Sequence, residues 1–216
     1  MFDPVSQQFF KSVLFAALLF FFVSQGVEVL NQMTLVPLKH RKALAAMKNK
    51  FSLIRIYLAE DRLSYVGVYL VDWMVTPIIL VLGLANSSTN YVSLYPIWVI
   101  CLGALIMCIG ESLRLWATYT LGKFFTFFVV VTKDHKLIKK GPYRFVRHPA
   151  YLGGLILTIG SGVITGLWFA PLIGVSLLCV AYAYRIRVEE EVLIRKFGNE
   201  YLKYSKETAM IIPHVL

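Results

Sequence analysis

The stretch Tyr91–Gly110, YVSLYPIWVICLGALIMCIG, runs for twenty residues without a charge. Wound as an α-helix it would rise about 30 Å, the thickness of a bilayer's hydrocarbon core. Apolar side chains on every side leave no face for water, so lipid or protein must surround such a helix. The pattern predicts a membrane-crossing helix that begins near Tyr91 and continues to Leu121.

Four further apolar runs flank it: Phe9–Leu30, Leu63–Leu84, Ala150–Ser161 and Leu167–Tyr184. The first is expected to be a retained span rather than a cleaved leader. Its core, Ser12–Val23, is long for a signal peptide, no small-x-small site follows, and the basic cluster from Lys39 lies behind it. Pro77 should kink the second run, which lipid tolerates where neighbouring helices satisfy the freed carbonyl. Ala150–Ser161 is short for a crossing and is expected to be tilted or to start deeper in the protein. The composition agrees: 58% of residues are hydrophobic and 16% charged, where a water-soluble domain carries about 25% charged residues. We therefore expect an all-α, polytopic membrane protein with about five transmembrane helices, forming a single domain over residues 1–216.

The formal charge of +10 raises the question of nucleic acid, and its placement answers it. Twenty of the 22 Lys and Arg lie in three stretches, Lys39–Arg62, Lys123–Arg147 and Arg185–Lys206. The stretches at the other ends of the runs, Ala85–Ser93 and Gly160–Gly166, carry no charge. This is the positive-inside pattern, and no nucleic-acid motif accompanies it. Five spans with the N-terminus outside put all three basic stretches in the cytosol. Lys39–Arg62 is expected along the membrane surface, and the chain from Arg185 onward as a charged helix leaving the bilayer. Cys101, Cys108 and Cys179 sit inside apolar runs without CxxC or His-Cys spacing, so no disulfide and no metal site is expected.

Two polar segments are richer than a loop or a helix end requires. One runs from His135 through Gly141-Pro142-Tyr143 to Arg147-His148-Pro149-Ala150-Tyr151. Pro149 can open a helix, which would put His148 at the mouth of the fourth span beside free backbone N–H groups. The other reads Arg185-Ile-Arg-Val-Glu189-Glu190, followed by Phe197-Gly198, Tyr201 and Tyr204. Arg185 and Glu189 are four apart and share a helix face. Taken singly, each residue is an ordinary helix anchor or turn former; together they form a constellation.

That constellation resembles the signature of the isoprenylcysteine carboxyl methyltransferases and their phospholipid N-methyltransferase relatives. The family pattern is His-x-Leu-[Val/Ile]-x-x-Gly-x-Tyr-x-x-x-Arg-His-Pro-x-Tyr-x-Gly, then Arg-x-x-x-Glu-Glu and Phe-Gly-x-x-Tyr-x-x-Tyr. Every fixed position is present, within a motif-bearing part at 121–204. The resemblance implies an S-adenosylmethionine pocket on the cytosolic side, built by the C-terminal half. It implies that His135, Lys136, Leu137, Ile138, Tyr143, His148, Pro149, Ala150, Tyr151 and Glu189 bind the cofactor. Arg185 would hold the substrate carboxylate, making Arg185 and Glu189 the catalytic pair. Arg147 and Glu190 match the motif without a defined role. Some members carry Ser where Ala150 stands, so that hydroxyl is not essential to the pocket. The expected acceptor is a prenylated protein or prenylcysteine, and in a eukaryote the expected location is the endoplasmic reticulum membrane. The sequence does not fix an oligomeric state.

Carboxyl methylation suits these residues. The acceptor is ionised at neutral pH, an α-carboxyl having a pKa of about 3.5, so alignment and water exclusion matter more than a base. A guanidinium orients a carboxylate by two parallel hydrogen bonds, which Lys does poorly. A phospholipid amine acceptor would instead need a base, which Glu189 or Glu190 could supply. A sterol-type, NADPH-dependent reductase shares the turn near Arg147–Gly153 but typically ends in a different C-terminal motif. A scaffold or transporter gives no reason for the joint motif. Asp72, Glu111 and Arg114 lie inside the spans and are expected to serve structure, Glu111 and Arg114 pairing at i,i+3.

Overall fold

The computed structural model describes residues 4–35, 53–86, 96–125, 136–167 and 169–212. Among these the protein is all-α: α1 (Pro4–Leu35), α2 (Leu53–Asn86), α3 (Ile97–Leu121), α4 (Pro149–Thr165), α5 (Phe169–Phe197) and α6 (Asn199–Glu207). Three segments are long and apolar enough to cross a membrane: Gln7–Glu28, Ile97–Leu121 and Phe169–Phe197. Two apolar helices are shorter, Val71–Asn86 and Pro149–Thr165. Their outward faces are greasy, with Phe15, Leu19, Trp98, Leu105, Leu172 and Val180 all exposed. In a soluble protein such a surface would aggregate; here it is a lipid face.

Helix boundaries follow local chemistry. Pro96 in extended conformation precedes α3, so the helix starts there rather than at Tyr91. Pro149 occupies the first turn of α4, and Gly166 closes it in the left-handed conformation at φ 70. Two departures from the expected layout concern charge. The second helix reaches back to Leu53, taking in the end of the basic stretch expected at the surface. The last apolar run and the charged segment after Tyr184 are one unbroken helix, since nothing between Phe169 and Phe197 breaks it until Gly198 at φ 54. The Ala85–Asn90 turn falls mostly outside the described residues.

α3 and α4 pack at backbone contact. A Cβ on Gly110 would stand 2.6 Å from the Gly153 carbonyl, and one on Gly160 would stand 2.6 Å from Met107 N. Residue pairs 103/164, 107/160 and 110/153 run in opposite senses, so the two helices are antiparallel. The same logic orients the rest. Gly162 meets Pro171, Gly154 meets Tyr182, Gly174 meets Val75, and Gly83 meets Leu14. Gly83 also meets Thr165 while Thr76 meets Thr158, and Arg114 joins Glu28 to Asp72, so the five long helices alternate in direction. The C-terminal ends of α1, α3 and α5 share one end of the bundle with the starts of α2 and α4. The described parts of the three basic stretches, at the start of α2, between α3 and α4, and at the end of α5, lie at that end.

One core cluster joins Phe10, Leu14 and Phe21 of α1 to Leu80, Ile100, Met107, Leu157 and Ile164. A second, nearer the basic end, joins Val68 to Leu178, Tyr182 and Ile186, with Tyr151, Leu155 and Ile211 packed against it. Between them lies a buried charge cluster. Arg114 donates through Nη1 to Asp72 at 2.7 Å and through Nη2 to Glu28 at 2.9 Å. Its partners thus come from α2 and α1 rather than from Glu111 one turn away, correcting the expected local pair. The three cysteines are exposed on the outward face.

Candidate active site

The site lies where the start of α4 meets the emerging part of α5. Its frame is a 3-10 turn, Gly141–Arg144, which Gly141 enters at φ 60. A side chain at Gly141 would press on Thr120 of α3, so this glycine serves both the turn and the close approach. The chain then passes Val146, which pairs with Ala209, and enters α4 with His148 at the N-cap. The segment after α6 is stitched to this entry: Arg147 N donates to Ala209 O at 2.8 Å and His148 N to Met210 O at 3.1 Å. Tyr204 anchors the turn from the other side, its hydroxyl donating to the Tyr143 carbonyl at 2.6 Å.

Two carboxylates from successive residues of α5 organise the polar groups. Glu189 Oε1 accepts from Tyr151 Oη at 2.6 Å and from Arg185 Nε at 2.9 Å. Glu190 Oε1 accepts from Arg147 Nε at 2.8 Å and from Tyr201 Oη at 3.1 Å. His148 sits between them, Nδ1 at 3.5 Å from Glu189 and Nε2 at 3.3 Å from Glu190. Burial opposes charging of His148, but the hydrogen bonds and charges of the two glutamates outweigh it and raise its pKa above the usual value. Arg147 also donates to the carbonyls of Ser205 and Thr208, closing the end of α6 onto α4. Tyr143 is buried, and burial followed by the Glu189 charge pushes its phenol well up, so it remains a neutral hydrogen-bonding group.

Arg185 (5% exposed) and His148 (6% exposed) are buried, while the Glu189 side chain is partly accessible at 24%. Ring faces line the same place: Tyr151 stacks on His148 at 5.7 Å and meets Tyr182 at 4.6 Å. A carboxylate with accessible edge, a buried guanidinium and an aromatic wall can hold a cation and an anion side by side. Among the described residues no group of His, Cys, Asp and Glu is disposed to hold a metal.

The structure thus brings Tyr143, His148, Tyr151, Arg185 and Glu189 together, with Pro149 and Ala150 in the first turn between them. Lys136 is exposed and Leu137 and Ile138 are half-buried in an irregular strap. The neighbouring Lys139 ties that strap to α6, through Glu200 at 2.9 Å and the Tyr204 ring at 5.9 Å. His135 lies outside the described residues. Sequence reasoning missed Tyr182, whose place mid-helix among apolar residues gave no signal. It gave Tyr201 and Tyr204 no task beyond the motif. It also passed over Glu28, although an acid inside an apolar run is itself a signal.

Fold and site define a polytopic α-helical membrane protein with a cluster of paired acidic and basic side chains at its basic end. A sequence model described as the isoprenylcysteine carboxyl methyltransferase (ICMT) family matches residues 100–195. Similar proteins include the protein-S-isoprenylcysteine O-methyltransferase of Saccharomyces cerevisiae, 35% identical over 53% of this chain and 48% of the yeast protein. The Arabidopsis thaliana enzyme B is 32% identical over 55% of this chain and 61% of its own length. The Homo sapiens enzyme is 37% identical over 55% of this chain and 42% of its own. The chain thus spans about half the length of the relatives it matches. A solved structure described as the eukaryotic intramembrane Ras methyltransferase ICMT superposes with a TM-score of 0.52 at 25% identity. It covers 70% of this chain and 52% of that one.

Proposed function

We propose that the protein transfers a methyl group from S-adenosylmethionine to the carboxylate of a C-terminal prenylated cysteine. The observation that carries this reading is the convergence of Arg185, Glu189, His148 and Tyr151 at the basic end of the bundle. The donor set fits the cofactor's chemistry: a carboxylate for an ammonium, and tyrosine faces beside a sulfonium cation. When bound, the cofactor supplies an electrophilic methyl on sulfur.

In this proposal Glu189 takes the cofactor's ammonium, and Tyr151, donating to the same carboxylate, fixes its angle. His148, Pro149, Ala150 and Tyr143 form the wall from the α4 side, and Lys136, Leu137 and Ile138 cover it as a strap. Arg185 holds the acceptor carboxylate by its planar fork, itself held at Nε by Glu189. No base is required, because the acceptor is already ionised. The aromatic wall and the stitched C-terminal segment exclude water, which strengthens both ionic contacts.

All five long helices cross the bilayer in this reading, as one domain whose motif-bearing part is 121–204. The basic end and the cofactor pocket face the cytosol, where the soluble donor is found, and the prenyl chain stays in lipid. In a eukaryotic cell the membrane is that of the endoplasmic reticulum.

The test uses the full chain in nanodiscs with radiolabelled donor and three acceptors: farnesylcysteine, phosphatidylethanolamine and a sterol. Base-labile ester on farnesylcysteine is expected. Arg185→Ala and Glu189→Ala should each lower turnover about a hundredfold or more while the chain remains folded in the nanodisc. Methylated phosphatidylethanolamine with no ester would overturn the acceptor assignment. Wild-type turnover in both variants would return the pair to a helix-end role.

A further inference from the structure

Two tyrosines join the charge cluster inside the bundle to the site at its end. Tyr182 of α5 is 2% exposed, and its hydroxyl donates to Asp72 Oδ1 at 3.0 Å. Asp72 Oδ2 takes Arg114 at 2.7 Å, and Arg114 reaches Glu28 at 2.9 Å. Four helices, α1, α2, α3 and α5, therefore fix one phenol oxygen. The Tyr182 ring lies 4.6 Å from that of Tyr151 at an interplanar angle of 35°. Tyr151 in turn donates to the Glu189 oxygen that also holds Arg185.

A space-filling aromatic would meet the burial requirement as phenylalanine. The surroundings are specific for the oxygen instead. A Cβ at Gly154 of α4 would collide with the Tyr182 hydroxyl, while the ring carbon bearing it would be at 3.4 Å, an ordinary contact. Gly154 is thus a slot for one oxygen atom. Replacing that hydroxyl removes a hydrogen bond to a buried carboxylate and leaves the ring free to tilt.

We propose that Tyr182 is a positioning residue: pinned to Asp72 through the Gly154 slot, it sets the Tyr151 ring and hence the angle of the Glu189–Arg185 pair. Its effect on rate rests on the methyl-transfer reading; its effect on Tyr151 does not.

The experiment compares Tyr182→Phe, Tyr151→Phe and the double variant in nanodiscs, with 3-fluorotyrosine placed at position 151 of the wild-type and Tyr182→Phe chains. Tyr182→Phe should lower kcat/KM about tenfold, roughly the worth of one hydrogen bond to a charged group, without loss of the folded state. The double variant should be no slower than Tyr151→Phe alone, because Tyr182 acts through Tyr151. The fluorine resonance should shift or broaden in Tyr182→Phe. Gly154→Ala should reproduce that change in the wild-type background and be better tolerated in Tyr182→Phe, where its methyl fills the vacated slot. Multiplying effects in the double variant, or an unchanged resonance, would overturn the proposal. A wild-type chain that makes no ester overturns the functional reading alone, and the fluorine comparison then decides the role of Tyr182.

Discussion

The molecule builds two clusters from the same residue types and treats them oppositely. In the middle of the bundle Glu28, Asp72 and Glu111 surround a single guanidinium, Arg114, and all four are at most 8% exposed. At the basic end Arg147, Arg185 and His148 surround Glu189 and Glu190, whose side chains are 24% and 19% exposed. The inner cluster draws one or two residues from each of three helices and is sealed by apolar packing. The outer one draws on adjacent residues of α5 and the first turn of α4, with an accessible carboxylate edge. Buried charge without access ties helices together; buried charge with access is where a ligand can bind.

The comparison breaks most sharply at the two arginines. Arg114→Ala leaves Glu28 and Asp72 buried without a counter-charge and should cost about 3–5 kcal/mol of stability, seen as a large drop in melting temperature in detergent. Arg185→Ala should lower that temperature less and remove activity instead. Equal destabilisation by both would erase the distinction.

A smaller effect is expected one turn before Arg114. Gly110→Ala must push α4 away from α3, and a loss of about 1–3 kcal/mol is expected by the same measurement. An unchanged melting temperature would mean that the helices are less tightly fitted than their geometry states.

The outer cluster should respond to mild pH. The folded state raises the pKa of His148. A group raised on folding lends stability that is complete below its unfolded pKa, about 6.5, and lost as pH rises through the folded value. Stability from the His148 clamp should therefore decline as pH rises above about 6.5 through the folded value, and His148→Gln should flatten the melting temperature over that window. Least affected is the strap's surface pair. Lys139→Ala breaks an exposed ion pair with Glu200 and should change stability by less than about 0.5 kcal/mol.

Much of this was legible in the sequence because lipid imposes long uncharged runs and loop charge sets their sense. Tyr91–Gly110 and the three basic stretches led to the alternating helices and their common end. Boundaries were less legible: hydropathy ends at Arg185, yet the backbone continues to Phe197 because charged residues are good helix formers. In the site, Arg185 and Glu189 were readable from their spacing, and His148 from the proline beside it. The partners of Arg114 were not, since nothing in the spacing of Glu28, Asp72 and Arg114 says which helices are neighbours. A motif carries what is close in the chain; Tyr182 and its slot at Gly154 are made by the packing of α4 on α5.

The glycine seam between α3 and α4 has a consequence for traffic. Two rods touching backbone to backbone along Gly103, Gly110, Gly153 and Gly160 behave as one plank. No hydrocarbon tail can part them, so under the proposed function a lipid-borne acceptor would have to reach Glu189 past α1, α2 or α5, on the side away from the plank.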